Sequence, residues 1–507
     1  MEDEEERLER SLDRLNAVMA EVMDLRHAAS LMSWDEQVLM PRGAGAGRSL
    51  AAATVRKMAH EKFTSAEVGD LLAAERARLG RRDPSSEIGR LLAVTARDYE
   101  KATRVPATYV AEHAQVTSVA RLVWQEARSR SDFTLFAPHL EKIIGLKRQY
   151  VSFFAPTAHP YDILLDDYEP GLTTHDVQVL FDALRSRQRD LIRRVAACPQ
   201  IGDRLLHLAH PEQGLWDFGV DVATAFGFDW TRGRQDKSVH PFTGGSGPDD
   251  VRITTRFEPQ QPLTAVFATM HETGHALYEQ GVDPRWTRTA LEGGASLGLH
   301  ESQSRLWENL VGRSWPFWQH FWPKLQSLCH VTLHDVSLEE FYRTINRVQP
   351  SFIRVDADEA TYNLHVMLRV EIEIAMLEET LSANDLPELW NAKMREYVGV
   401  EPPDARQGIL QDMHWAIGLI GYFPTYTIGN VISAQLWETF LAVEPRRDEL
   451  IQRGDFSALL AWLRRELHQH GRRFEPPDLL ERITGRGIDP QPYLRYLEAK
   501  VGTVYQL

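Results

Sequence analysis

Residues His271, Glu272, Thr273, Gly274 and His275 read H-E-x-x-H. Histidines four positions apart lie on one face of an α-helix, about one turn from each other, so two imidazole nitrogens can close on one metal ion. The glutamate beside the first histidine can hold a water activated by that metal and act as its general base. Metal-assisted hydrolysis is the chemistry these residues point to. The bland alternative is a solvated helix face that carries two histidines and a glutamate by chance.

A helix must carry the motif for this geometry to hold. Pro262 suits a first helical turn, where its missing N–H costs nothing. Leu263, Val266, Phe267 and Met270 recur at helical spacing, Ala276 and Leu277 continue the apolar surface, and Gly281 is a C-terminal stop. The pattern predicts a helix over 262–280 with the histidines beside a buried stripe. Unpaired histidines buried next to a glutamate are costly without a metal or another partner.

A catalytic zinc takes three protein ligands and leaves one position for water. The best third candidate is His300-Glu301-Ser302-Gln303, whose histidine lies 25 residues after His275. Leu297, Leu299, Leu306 and Trp307 around it fit a second helix. Neighbouring helical residues diverge by about 100°, so His300 and Glu301 compete for the place, and spacing does not choose between them.

The chain has 507 residues and can bury a large core. Its net charge of −15, with no long basic run, argues against nucleic-acid binding as the main function. The arginines of Gly80-Arg81-Arg82-Asp83-Pro84 read as a solvated loop. Cys198 and Cys329 are too few for a disulfide framework. Residues 1–10 are acidic with no apolar leader, and no stretch approaches the roughly 18 apolar residues of a membrane span. A cytoplasmic protein without membrane partners is expected.

Helical periodicity dominates the rest. It is seen at 8–27, 86–103, 107–130, 137–153, 174–197, 303–328, 338–347, 359–382, 386–397, 429–442, 447–469 and 491–500. The strongest break is 232–261, rich in glycine and proline, with a β-like segment at 251–257. A strand just ahead of the H-E-x-x-H helix can form a cleft edge that binds an extended peptide through its backbone.

Six separated motifs then line up in order: His240-Pro241-Phe242, D-x-R-x-T at 250–254, H-E-x-x-H, His300-Glu301-Ser302-Gln303, I-R-x-x-A-D at 353–358, and G-x-x-Q-D-x-H-W at 408–415. Ser33-Trp34-Asp35-Glu36-Gln37 and Ala59-His60-Glu61-Lys62-Phe63-Thr64 add to them far from the site. With these motifs the chain resembles the carboxypeptidase Taq family of zinc metallocarboxypeptidases over nearly its whole length. The resemblance implies one catalytic domain over 1–507. Its fold would be mainly α, a two-lobed helical zincin with a deep central groove and a small β-sheet beside the metal helix. It implies a homodimer that releases single C-terminal residues from peptides, with broad side-chain tolerance and poor action next to proline. It also implies one Zn2+ per chain, replaceable by Co2+, on His271, His275 and Glu301. Related zincins often place an acidic residue four positions after the glutamate ligand; here that position is Arg305. The acceptors for the outer N–H groups of the metal histidines must then come from elsewhere.

Hydrolysis also needs donors for the developing oxyanion. His414 and Tyr426 resemble the donor pair of angiotensin-converting-enzyme-like peptidases, with Tyr422 competing for the tyrosine role. His240 resembles a histidine that contacts substrate near the scissile bond. An exopeptidase must also bind the terminal carboxylate, a task for arginine. Arg354 and Arg252 are the motif arginines, Arg354 slightly favoured; the alternative for each is an ion pair with Asp250, Asp356 or Asp358.

Overall fold

The computed structural model describes residues 2–79, 86–378 and 381–507. The loop read at 80–84 lies outside them. Helices make up most of the chain, and a three-stranded sheet interrupts them where the glycines and prolines gather. β1 (Gly233–Lys237) runs parallel to β3 (Val251–Thr255), and β2 (Thr243–Gly245) runs antiparallel to it, in the order β1-β3-β2. Val251 and Ile253 of β3 face the main core, while Arg252 between them faces away.

The helix Thr264–Gly281 packs on β3, on the helix Glu212–Phe226 and on the helix Leu297–Arg305. Leu297–Arg305 is in turn covered by the helix Pro424–Val443. Two glycines allow this. A Cβ on Gly274 would stand 2.6 Å from both the Gln303 carbonyl oxygen and Ser304 Cα, and one on Gly429 would stand 2.6 Å from Glu301 Cβ. The chain segment bearing Glu301 is therefore clamped between two helix backbones.

The expected helices form, with several differences. The run predicted at 303–328 is broken: Leu297–Arg305 passes into a π-helical turn, Leu306–Val311, before a new helix at Trp315–Leu328. The run at 447–469 splits at Gly454, whose φ of 74° suits only glycine without strain. Gly45–Phe63, Ala66–Leu79, Glu212–Phe226 and Pro476–Thr484 are helices that periodicity did not mark. Gly45–Phe63 buries only Ala52, Ala59 and Phe63, too sparse a stripe to stand out. It pairs with the 37-residue helix Glu2–Val38 over a smaller second core built on Leu15, Val18, Val22 and Phe63. Among the described residues no helix is long and apolar enough to cross a membrane.

Candidate active site

Helical spacing presents His271 and His275 on the side of their helix that meets the Glu301 segment. Glu301 Oε2 lies 3.6 Å from His271 Nε2 and 3.4 Å from His275 Nε2. The three donor atoms lie within 4.8 Å of one another. A tetrahedral ion with bonds of about 2.0–2.1 Å needs ligand atoms about 3.4 Å apart. Two imidazole nitrogens and one carboxylate oxygen this close together can hold a metal ion. His300 points away from the cluster, so the choice that spacing left open falls geometrically to Glu301.

The other face of each ligand is held. His271 Nδ1 is 2.9 Å from Glu308 Oε2. His275 Nδ1 is 2.6 Å from His300 Nδ1, and His300 Nε2 is 2.7 Å from Glu279 Oε1. If His275 offers Nε2 to a metal, it donates from Nδ1 to His300, which donates from Nε2 to Glu279. Every ring nitrogen in this relay is then satisfied without a net proton. Arg305 replaces the acidic residue of related zincins in another way. Its Nε donates to Glu301 Oε1 at 2.7 Å and its Nη1 to Glu308 Oε2 at 3.3 Å. One oxygen of Glu301 is thereby occupied, and Oε2 is left to face the histidines. Glu308 stands seven residues after Glu301, two turns on along the same face, and the π turn sets it against His271.

These contacts set the charges. Burial alone would raise the Glu301 pKa, but Arg305 and His271 outweigh it and hold the carboxylate well below its usual range. Burial also works against Glu308, yet His271 and Arg305 bring it down to about 2. Burial lowers His275 to about 4. Two ionised carboxylates, each held by Arg305, thus stand beside the neutral His275 imidazole and His271.

Glu272 is 6% exposed, on the same helix. Its Oε2 accepts from Thr243 Oγ1 at 2.7 Å, which links β2 to the site. Burial raises its pKa, with His271 and Thr243 opposing. On the opposite wall His414 Nε2 is 3.1 Å from the Tyr426 hydroxyl. Burial holds His414 near 3; Asp412 opposes, and Arg354 and Arg369 reinforce the shift, so the ring is neutral in ordinary buffers. Tyr422 packs against both, with ring centroids 5.5 Å away in each case. After burial, Glu301 is the strongest influence on Tyr422, whereas Tyr422 and Arg354 act most on Tyr426.

Residues 14–501 match the carboxypeptidase Taq (M32) metallopeptidase family. The chain is 39% identical to thermostable carboxypeptidase 1 of Thermus thermophilus, over 95% of this chain and 96% of that one. It is 36% identical to carboxypeptidase 1 of Bacillus subtilis, with 95% and 96% covered. The crystal structure of the M32 carboxypeptidase from Deinococcus radiodurans superposes with a TM-score of 0.95, at 40% identity, over 98% of this chain and all of that one.

The chain belongs to the carboxypeptidase Taq (M32) family.

It is a metallocarboxypeptidase, a peptide hydrolase. In this M32 chain both motif arginines have carboxylate partners. Arg252 places Nε and Nη2 on Asp250 at 2.7 and 2.9 Å, and its guanidinium lies 4.4 Å from the ring centre of Trp34, on the long N-terminal helix. Arg354 is 4% exposed. It donates to Asp412 Oδ1 from Nε and Nη2, at 3.1 and 2.8 Å, and to the Tyr362 hydroxyl from Nη1 at 2.8 Å. This is the ion-pair alternative, with Asp412 in place of Asp356 or Asp358. Asp358 instead caps the helix Glu359–Leu377. Arg369 holds the other oxygen of Asp412, so two buried cations share one anion behind His414. His240 is pulled below its usual pKa by partial burial and then by the charges of Arg256 and Arg128. Sequence reasoning missed Glu308, Glu279, Arg369 and Arg128. Glu308 carried one usable signal: with an arginine four positions after Glu301, a carboxylate on the next turn of the same face was the nearest replacement.

Proposed function

We propose that this M32 chain removes single residues from peptide C-termini by attack of water, with zinc on His271, His275 and Glu301. The three donor atoms gathered within 4.8 Å of one another, beside the buried Glu272, carry the reading. When bound, zinc supplies a Lewis acid and makes water acidic enough to lose a proton near neutrality. Glu272 takes that proton and later delivers it to the leaving amine. Its burial, which favours the protonated form, suits a group that must hold the proton between the two transfers. Tyr426 and His414 donate to the carbonyl oxygen as it gains charge, with Tyr422 as the competing hydroxyl. His240 touches the substrate near the scissile bond. The substrate lies extended along β2, an edge strand tied to Glu272 through Thr243.

Arg354 and Arg252 shape the groove through their pairs with Asp412 and Asp250. The family resemblance extends the proposal to a single catalytic domain of two helical lobes, a homodimer, a cytoplasmic setting, broad side-chain tolerance and poor action next to proline. Co2+ is expected to substitute for Zn2+. Digestion of one peptide as the free acid, the C-terminal amide and the N-acetyl form, followed by mass spectrometry and with metal content measured, tests the core of it. Stepwise loss of single C-terminal residues and one zinc per chain are expected. An internal fragment as first product would replace the exopeptidase with an internally cutting peptidase.

A further inference from the structure

An enzyme that reads a peptide C-terminus needs a cation with no resident partner. Arg354 spends its donors on Asp412 and Tyr362, and Arg252 pairs its Nε–Nη2 edge with Asp250, so each binds a resident acid before any substrate does. Arg256 is paired with Glu258. Asp412 has no oxygen to spare, since Arg354 holds Oδ1 and Arg369 holds Oδ2.

Arg128 differs. It sits in the last turn of the helix Ala107–Arg130, half-buried, with its guanidinium 5.7 Å from the ring centre of Trp124. Its Nε is shut off from solvent and has no hydrogen-bond partner, and among the described residues its side chain forms no ion pair. Two bonds fasten this helix end to the segment that leads into His414. Trp124 Nε1 donates to the Leu410 carbonyl at 3.1 Å, and the Arg406 backbone N–H donates to Ser131 Oγ at 3.0 Å. Besides burial, the groups acting on Arg128 are Arg406, Asp412 and Arg256, and Arg128 itself acts on His240. Arg128 thus shares the neighbourhood of His240 and Asp412 with Arg406 and with Arg256, which is paired with Glu258, while both oxygens of Asp412 are already held. A half-buried cation without a counter-ion is costly, and a carboxylate arriving there relieves the cost.

We propose that Arg128 binds the free C-terminal carboxylate of the substrate, with Arg256 and Arg406 adding to the local positive field. This rests on the exopeptidase reading. The planar fork of an arginine pairs with both oxygens of a carboxylate, and stacking on Trp124 fixes the plane of that fork.

The test is kcat/KM for one peptide as free acid and as amide, with wild type, R128Q, R128K and R354Q. The wild type should prefer the acid by about 10- to 100-fold, the scale of a charge-assisted hydrogen bond. R128Q should lose that factor on the acid, keep its rate on the amide and keep its metal. R128K, which retains the charge but not the fork, should fall between. Inhibition by N-acetylphenylalanine, compared with its amide, is a second readout. The acid should inhibit wild type more strongly than R128Q, while the amide should not distinguish them. An intact acid preference in R128Q, or one abolished in R354Q alone, overturns the assignment and leaves the exopeptidase standing. A wild type that cuts the amide as fast as the acid overturns the exopeptidase reading, and the assignment with it. If R128Q does not fold, R128K decides, and an unchanged acid-to-amide ratio there counts against the fork.

Discussion

Glu308→Gln isolates the charge behind His271 with almost no change of shape. The amide oxygen of the variant could still accept from His271 Nδ1, at the position where Glu308 Oε2 now stands 2.9 Å away. What disappears is a negative charge shared with Arg305 at 3.3 Å and Arg313 at 3.4 Å, where the glutamate side chain is only 13% exposed. A charge-assisted hydrogen bond in such a place contributes about 1.5–3 kcal/mol more than no bond. At about 1.4 kcal/mol per tenfold, that bounds the loss in metal affinity at roughly 10- to 150-fold. Changes to such supporting partners commonly weaken metal binding about 10- to 100-fold, so the two scales agree. The assay is the zinc dissociation constant of the metal-free protein, by competition with a chelator of known affinity, alongside thermal unfolding without metal. Glu279→Gln provides the control. It ends the relay behind His275, but the His300 ring stands between it and the ligand. Its effect should be the smaller. Zinc affinity within twofold of wild type in Glu308→Gln, or a larger loss in Glu279→Gln, would refute the idea that the carboxylate on His271 tunes this site.

Glu272→Gln should keep its zinc and lose turnover by at least about a hundredfold, the scale of a lost general base; near-normal turnover means that another group takes the proton. Gly274→Ala would set a methyl 2.6 Å from Ser304 Cα, so the two helices must part. Overpacking of this kind costs about 1–3 kcal/mol, and the variant should show both a lower Tm and weaker zinc binding, whereas an unchanged pair of values would disprove the clamp. Glu169 is 4% exposed beside the start of the Glu301 helix, where its carboxylate accepts from the Gly298 N–H, and burial pushes its pKa up to about 8. A raised carboxyl pKa means that the folded state keeps a proton the unfolded chain has already released. Its contribution is therefore full below about pH 4–5 and is lost as pH rises towards 8. Glu169→Gln should flatten the fall in Tm between pH 5 and 8.5, and a slope identical to wild type would remove Glu169 from the linkage.

The pairing of His271 and His275 was legible in the chain because it is local. Helical periodicity alone places residues four apart on one face, and the apolar stripe from Leu263 to Leu277 makes the helix. The strand at 251–255 and most long helices followed from the same short-range rules. Residues drawn from different segments were beyond those rules. Whether His300 or Glu301 turns towards the histidines depends on the angle at which two helices meet, and Gly274 and Gly429 set that angle through backbone contacts invisible in a one-dimensional pattern. The break after Arg305 hid the placement of Glu308, since apolar residues continue through the π turn without a change of period. Arg354 and Asp412 are 58 positions apart, and Arg128 reaches the same neighbourhood from a helix far earlier in the chain. Charge partners of this kind carry no sequence spacing, because Coulombic attraction and burial act on distance in space. Chain order therefore determined which groups could hold a metal and take a proton, while tertiary packing decided which arginines were already committed to resident acids.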